Sequence, residues 1–211
     1  MAAPRRLQRT STVDALAAEL RREILDGELP AGAWLREREL CEAYGVARHS
    51  LRAALRALAS EGLVRIEPHR GARVAQLTSD DVRWLYELRA ALELEAAHLA
   101  LERNSRRLPA PVHAALARLQ AACAGEDPAW SAINDAHADL HAAIVAAAGS
   151  PRIEAAHAAL TGEMRLFLLA LRPHLPPARL AADHAALVSG LEHEGPAVLR
   201  EHLRAAAETL A

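Results

Sequence analysis

The chain lacks lysine entirely and is poor in aromatic residues and cysteine: its 211 residues include three Trp, two Tyr, one Phe and two Cys. Cys41 and Cys123 both lie in apolar helical patterns, which predicts buried free thiols and excludes a disulfide-stabilised secreted domain. No run of about 18 uncharged apolar residues occurs, so no membrane-spanning helix is predicted. The first ten residues are basic and polar and resemble no signal peptide. We therefore expect a cytoplasmic protein.

Hydrophobic residues fill 52% of the positions, enough for a sizeable core. Many of them are alanine, which favours helix. The net charge of −2 is unevenly distributed, with +3 over residues 1–76 and −5 over residues 77–211. A mildly basic front half and an acidic back half are typical of a nucleic-acid-binding domain joined to a domain that avoids DNA. Because the basic excess is small, specific binding should also need a dimer.

The segment 13–74 has the pattern of a winged helix-turn-helix. Apolar residues at helical spacing predict a first helix over 13–24, and a short second helix follows over 37–44. Gly45 supplies the bend before a third helix that begins near Ala47. Two predicted strands, 63–67 and 72–74, flank the turn 68–71 and form the wing. This arrangement is a device for reading the major groove of DNA.

This segment resembles the GntR family of bacterial transcription regulators. The resemblance is carried by four blocks in order: 32–40 (GAWLREREL), 45–55 (GVARHSLRAAL), 58–64 (LASEGLV) and 70–74 (RGARV). It implies that Arg38, Arg48 and Arg52 contact DNA and that the wing reaches the minor groove. The full set of candidate DNA-binding residues is Arg38, Arg48, His49, Ser50, Arg52, His69, Arg70 and Gly71.

The physical chemistry of the third helix agrees with that role. Arg48 and Arg52 are four residues apart and share one helix face near its start. An arginine that pairs with guanine O6 and N7 contributes roughly 1–3 kcal/mol of discrimination. The alternative is a solvated basic helix face. Arg5, Arg6 and Arg9 form either an arm along DNA or a tail without structure.

After residue 76 the pattern becomes helical throughout. Proline near helix starts and glycine near helix ends divide it into about six helices, beginning near residues 78, 109, 127, 151, 178 and 196. The connections are short, which favours an antiparallel bundle. We therefore predict a mainly α protein with two domains, a winged helix-turn-helix over 1–76 and an all-α effector-binding and dimerisation domain over 77–211.

Nine of the eleven histidines lie in this second half. His137 and His141 are four apart on one predicted helix and could share a metal ion. His184 and His202 lie on the last two predicted helices, which a bundle can bring alongside. Paired histidines at this spacing are more often ordinary core or surface residues. Histidines 98, 113, 157, 174 and 193 have no partner at ligand spacing and are interpreted as ordinary.

The second half resembles the FCD domain, the effector domain of the FadR-type branch of GntR regulators. The matching segments are 77–78 (LT), 85–93 (LYELRAALE), His141 with 149–152 (GSPR), 183–184 (DH) and 202–203 (HL). The resemblance implies a divalent metal held by His141, His184, His202 and the residue four before His141.

That last position usually carries Asp or Asn in the family, and here it is His137. Four imidazoles favour Zn or Ni over Mg or Mn. A site with one carboxylate fewer is also more positive, so we expect stronger attraction for an anionic ligand. The segment between His184 and His202 is about one helical turn shorter than is usual in the family.

Two arginines are candidate effector-binding residues. The resemblance places Arg89 in the cavity, where its guanidinium could clamp a carboxylate. The alternative is a surface ion pair between Arg89 and Glu93, worth roughly 0.3–0.5 kcal/mol. Arg165 is a weaker candidate for the same role.

The sequence thus predicts a metal-containing, dimeric transcription regulator, not an enzyme. It binds a palindromic double-stranded operator, as a repressor, and responds to a small organic-acid effector. One alternative keeps the DNA-binding role with a structural or absent metal and an acyl-type effector. A remote alternative is a metal-dependent hydrolase, for which no carboxylate is evidently placed as general base.

Overall fold

The computed structural model describes residues 12–209, so the predicted arginine arm at residues 5–9 lies outside the described residues. The described chain forms two compact units. The first comprises residues 12–24 and 28–75, and the second comprises residues 25–27 and 76–209. No described helix has both the length and the apolar character needed to cross a membrane.

Three helices build the front unit: α1 (Thr12–Asp26), α2 (Glu37–Tyr44) and α3 (Arg48–Ser60). The predicted apolar stripe of α1 is buried from Leu16 to Ile24, and Leu51 and Leu58 of α3 are 0% exposed. Gly45 ends α2 at φ 61°, in the left-handed region that favours glycine, and so makes the predicted bend. The helix-turn-helix prediction is confirmed.

The wing is a three-stranded antiparallel sheet in the order β1-β3-β2, made of β1 (Trp34–Leu35), β2 (Val64–Glu67) and β3 (Gly71–Val74). The hairpin was predicted, but β1 was not, since two residues are too short to show an alternating pattern. Its Leu35 pairs with Ala72 on β3 and is buried. The added strand covers one edge of the hairpin.

The second unit is a helical bundle. Its described helices are α4 (Ser79–Arg103), α5 (Ala110–Ala122), α6 (Trp130–Ala146), α7 (Pro151–Ala158), α8 (Thr161–Leu171), α9 (Pro177–His193) and α10 (Ala197–Glu208). α4 packs against α6, α7, α8 and α10, and α6 also packs against α5, α7 and α8. Buried polar residues on α4 and α6 therefore face one another inside the bundle.

The predicted fourth helix is two helices, so the described bundle has seven helices rather than about six. The chain bends at Ala159 and Leu160, both in right-handed helical conformation, and the Leu160 amide bonds to the carbonyl of His157 in a tighter turn. Thr161 and Gly162, which follow, are weak helix formers and do not oppose the bend. The bend lets both His157 and Leu160 be buried.

Candidate functional site

Four histidine rings converge inside the bundle from three helices. His137 and His141 lie one turn apart on α6, with ring centroids 4.7 Å apart. His184 on α9 lies 4.8 Å from His137 and 5.4 Å from His141. His202 on α10 lies 4.6 Å from His184. The structure brings together all four histidines that the sequence singled out.

The hydrogen bonds of two rings determine which nitrogen faces the centre of this cluster. His184 Nδ1 lies 2.8 Å from the carbonyl oxygen of Leu180, which can only accept. His141 Nδ1 lies 2.7 Å from Oε2 of Glu93. Both Nδ1–H groups therefore donate outward, and the two Nε2 atoms face each other at 3.4 Å. In neutral rings this arrangement points two lone pairs toward one point.

Burial keeps these rings neutral. It lowers the pKa of His137 and His202 well below the usual range, and the neighbouring imidazoles lower both further. The pKa of His184 is lowered to about 3 by burial and by His141. The pKa of His141 is also lowered, since burial outweighs the favourable effect of Glu93. Neutral imidazoles are the form that binds a metal ion.

Arg89 and Glu93 form an ion pair on α4, with Nε and Oε1 2.6 Å apart. The pair is not on the surface, because Arg89 is 2% exposed and Glu93 is 0% exposed. Burial opposes ionisation of Glu93, yet Arg89 and His141 hold its pKa well below the usual range. The surface-pair interpretation was therefore wrong about location, and Glu93 joins the histidine cluster as an ionised carboxylate.

Sequence reasoning missed two members of this cluster. Glu93 was seen only as the partner of Arg89, and His157 was interpreted as ordinary. His157 is buried on α7, and its Nε2 lies 3.3 Å from Oε1 of Glu93. The two residues are 64 positions apart, so no local spacing in the sequence could have joined them.

The acidic residues of α6 point away from the cluster, as their helical angle predicts. Asp135 and Asp139 are exposed, and Asp135 pairs with Arg165 of α8 at 2.7 Å. Asn134 is buried and donates to the backbone carbonyl of Arg165 at 2.9 Å. Nε of Arg165 is buried and has no hydrogen-bond partner in the described part of the chain.

A cavity of about 500 Å³ lies between α8, α9 and α10. His202 forms part of its wall and is the least buried of the four rings. Arg179, Asp183 and Glu194 also line the cavity, which makes it partly polar. His202 therefore connects the buried cluster to a space large enough for a small ligand.

The donor set fits a divalent metal. One ligand atom each from His137, His141 and His184 lie within 4.8 Å of one another, a spacing that a single ion between them can bridge. A cation there would also satisfy the two facing Nε2 lone pairs. His202 lies outside this group of three but within ring contact of two of its members. The described cluster can thus hold a metal through three or four imidazoles.

The front unit exposes the predicted DNA-binding residues at the start of α3. Arg48 and His49 are exposed and Ser50 is half-buried. Arg52 is exposed and bound to Glu37 of α2 by two hydrogen bonds of 2.8 and 2.9 Å. This pair lowers the pKa of Glu37 and holds the Arg52 guanidinium against the first residue of α2.

Arg38 and the wing turn are also exposed. Arg38 lies 4.0 Å from Glu42 one turn along α2, at the limit of an ion pair. His69 has a φ of 62° and follows Pro68, as expected at the third position of a type II turn. The turn closes through the Arg70 amide and the Glu67 carbonyl at 3.1 Å. It presents His69, Arg70 and Gly71 at the tip of the wing.

Two family models match the chain. The model for "Bacterial regulatory proteins, gntR family" covers residues 12–74, and the model for the FCD domain covers residues 84–209. The chain belongs to the GntR family of transcription regulators and carries an FCD domain.

Several relatives align with most of the length of this GntR regulator. It is 31% identical to the "Probable D-xylose utilization operon transcriptional repressor" of Paenarthrobacter nicotinovorans, over 95% of this chain and 87% of that one. It is 32% identical to the transcriptional repressor GlaR of Escherichia coli (strain K12), over 72% of this chain and 68% of that one. A solved GntR regulator from Rhodococcus sp. RHA1 has a TM-score of 0.72 and 28% identity, with 94% of this chain and 97% of that chain covered. These relatives are regulators, not enzymes.

Proposed function

We propose that this DNA-binding regulator is a repressor that binds a palindromic operator as a homodimer and responds to a small organic acid through a metal in its FCD domain. We assign DNA binding to residues 1–76 and metal binding, effector binding and dimerisation to residues 77–211. The names of two relatives are those of repressors, which supports repression as the mode of action.

The observation that carries the metal proposal is the convergence of His137, His141 and His184, with His202 beside them. We propose these four side chains as the metal ligands. Imidazole nitrogens favour Zn²⁺ or Ni²⁺ over harder cations such as Mg²⁺. When bound, such an ion supplies concentrated positive charge and a coordination position for an oxygen ligand.

An anionic effector follows from the charges around the cluster. The four imidazoles are neutral, and the buried Arg89–Glu93 pair has no net charge. The charge of a divalent ion is therefore not balanced by these groups. A carboxylate entering through the cavity beside His202 would balance it. We propose that Arg89 and Arg165 also bind the carboxylate of the effector. The buried Nε–H of Arg165 makes no hydrogen bond in the described part of the chain and is available to donate to it.

Operator recognition is assigned to the exposed residues of α2, α3 and the wing. Arg48 and Arg52 would read bases from the start of α3, and Arg38, His49 and Ser50 would position the helix on the duplex. His69, Arg70 and Gly71 would contact the adjacent groove. The effector can alter operator affinity only if it binds the DNA-competent and DNA-incompetent states differently.

The exposed apolar surface of α4 supports the homodimer. Trp84 and Leu88 are one turn apart and are 56% and 47% exposed. Beside them, a largely apolar groove of about 770 Å³ runs between α4 and α10. Its rim carries both Arg and acidic side chains, so two copies of the face can be complementary about a two-fold axis. We assign this face to the dimer interface.

The presence of four imidazoles in the cluster supports one alternative, a purely structural metal. Four imidazoles would complete a tetrahedral shell and leave no position for a carboxylate. In that case the effector would be an acyl-type ligand bound elsewhere.

Thermal melting separates the two functions. The purified protein is melted as isolated and after chelation, each with a panel of small carboxylic acids. The proposal expects one acid to raise Tm of the metal-loaded protein only, because that acid binds through the ion. A lower Tm after chelation, with no acid effective in either state, would instead show a structural metal.

A further inference from the structure

A single buried carboxylate, Glu93, lies between the arginine of α4 and the histidine cluster. We propose that Glu93 is a positioning residue that fixes the tautomer of His141 and so turns its Nε2 lone pair toward the metal. This inference rests on the proposed metal site and assigns a role to a side chain that is not itself a ligand.

Three contacts hold the Glu93 carboxylate in place. Oε1 accepts from Arg89 Nε at 2.6 Å and lies 3.3 Å from His157 Nε2, while Oε2 lies 2.7 Å from His141 Nδ1. The carboxylate is 0% exposed and is therefore shielded from bulk solvent. Each carboxylate oxygen therefore lies within hydrogen-bond distance of a side chain from α4, α6 or α7.

The chemistry of the contact with His141 permits one tautomer. The Glu93 carboxylate is ion-paired with Arg89, with Nε and Oε1 2.6 Å apart. A carboxylate in an ion pair has only acceptor sites, so the hydrogen atom between it and His141 must be carried by Nδ1. A neutral ring with its hydrogen on Nδ1 has a lone pair on Nε2. Glu93 therefore decides which nitrogen of His141 is available to a cation.

Arg89 would favour the opposite tautomer if Glu93 were absent. Its Nη2 lies 3.2 Å from the same Nδ1 of His141. A guanidinium only donates, so on its own it would stabilise a ring whose Nδ1 is an acceptor and whose Nε2 carries the hydrogen. That hydrogen would then point at Nε2 of His184, 3.4 Å away, and block the metal position. Glu93 prevents this by its shorter contact and its charge.

The tautomer of His184 is fixed independently, because its Nδ1–H donates to the Leu180 carbonyl. The hydrogen bond to Glu93 comes from α4 and the one to Leu180 comes from α9. Together they direct the Nε2 lone pairs of His141 and His184 toward one position in the metal-free protein. Loss of a partner that orients a histidine ligand typically weakens metal binding by about 10- to 100-fold. We expect a loss of that size when Glu93 can no longer enforce the tautomer.

The test compares Glu93→Gln with the unaltered protein. A glutamine amide can accept from Nδ1–H or donate to a bare Nδ1, so it removes the enforcement while keeping the size of the side chain. Zinc affinity is measured by competition with a chromophoric chelator, and the expected result is about 10- to 100-fold weaker binding. Glu95→Gln is the matched control, since Glu95 is exposed on the same helix.

A second measurement does not require metal. In the chelated protein, ¹⁵N NMR of the histidine rings distinguishes a protonated Nδ1 from a protonated Nε2. The expected result is the Nδ1–H form of His141 in the unaltered protein and a mixture of both forms in Glu93→Gln. Glu93→Gln leaves Arg89 buried without its ion-pair partner and could fail to fold for that reason. The double variant Arg89→Met/Glu93→Gln removes this unpaired charge and is therefore measured as well. It should also show a mixture of the Nδ1–H and Nε2–H forms of His141.

The outcomes separate this inference from the proposed metal site. If the unaltered protein binds no zinc, the metal proposal fails, while the tautomers of the chelated protein still decide the role of Glu93. If zinc binds and Glu93→Gln retains both its affinity and the Nδ1–H form, the positioning role is overturned.

Discussion

Single residues inside the bundle lie where burial disfavours their charged form. His184 shows this effect, because burial and the neighbouring His141 lower its pKa from 6.5 to about 3. In the unfolded chain the same ring would titrate near its ordinary value. As pH falls below that value, the unfolded state binds a proton that the folded state does not, so folding stability falls.

We therefore predict acid destabilisation of the metal-free protein that depends on His184. Between pH 7 and pH 5 this ring alone should cost about 2 kcal/mol of unfolding free energy. Urea denaturation of the chelated protein at several pH values measures the slope, which should be shallower in His184→Gln. His98→Gln, at an exposed position of α4, should leave the slope unchanged. Equal slopes for all three proteins would show that His184 is not buried in its neutral form.

Arg48 is exposed at the start of α3, the proposed DNA-reading helix. Arg48→Ala should weaken operator binding by roughly 1–3 kcal/mol and relax the preference at one base pair, because a bidentate guanine contact is lost. Fluorescence anisotropy with operator variants measures both effects. Arg152→Ala, an exposed arginine of α7, changes net charge by the same amount and should have little effect. An Arg48 variant that weakens all sequences equally would assign this residue to phosphate contact instead.

Among the features of the helices, their ends followed most directly from the sequence. Glycine and proline marked the ends of α2, α5 and α9 because their backbone constraints act locally. The bend between α7 and α8 was missed, since no proline lies there, the nearby Gly162 is itself part of α8, and both bend residues keep helical dihedrals. Local rules identify where helices end, but a bend that serves packing has no such signal.

The start of α4 illustrates a local rule with a measurable effect. The Asp81 amide donates to Thr78 Oγ1 at 3.1 Å, and the Thr78 amide donates to Asp81 Oδ2 at 2.9 Å, which forms a capping box. Thr78→Ala should lower the free energy of unfolding by about 0.5–2 kcal/mol. Urea denaturation measures this, with Ser79→Ala as control because Ser79 follows the cap position. A Thr78 variant as stable as the control would mean that the box does not stabilise the bundle.

The candidate site was predictable only where its members lie close in sequence or match a family pattern. His137 and His141 followed from helical spacing, and His184 and His202 from the family resemblance. Glu93 and His157 were not identified, because their meeting depends on how α4, α6 and α7 pack. The spacing of Arg89 and Glu93 predicted an ion pair but not its burial, since α4 is enclosed by helices from distant parts of the chain.

Two copies of the whole molecule are needed to read a two-fold operator. Trp84→Glu places a charge in the proposed interface and should convert the dimer to a monomer at micromolar concentration. Sedimentation equilibrium measures the change, and operator affinity should fall with it. Ala142→Glu adds the same charge at an exposed position of α6 and should remain dimeric. A Trp84→Glu protein that is still a dimer would place the interface elsewhere.

A metal-held effector is tested by measuring operator affinity in the presence of a panel of small carboxylic acids, with and without metal. We expect one acid to change operator affinity by about 5-fold or more in the metal-loaded protein. The effect should disappear after chelation and in His141→Asn, where one of the proposed ligands is removed. An acid that acts equally in all three cases would contradict the claim that the histidine cluster holds a metal through which the effector acts.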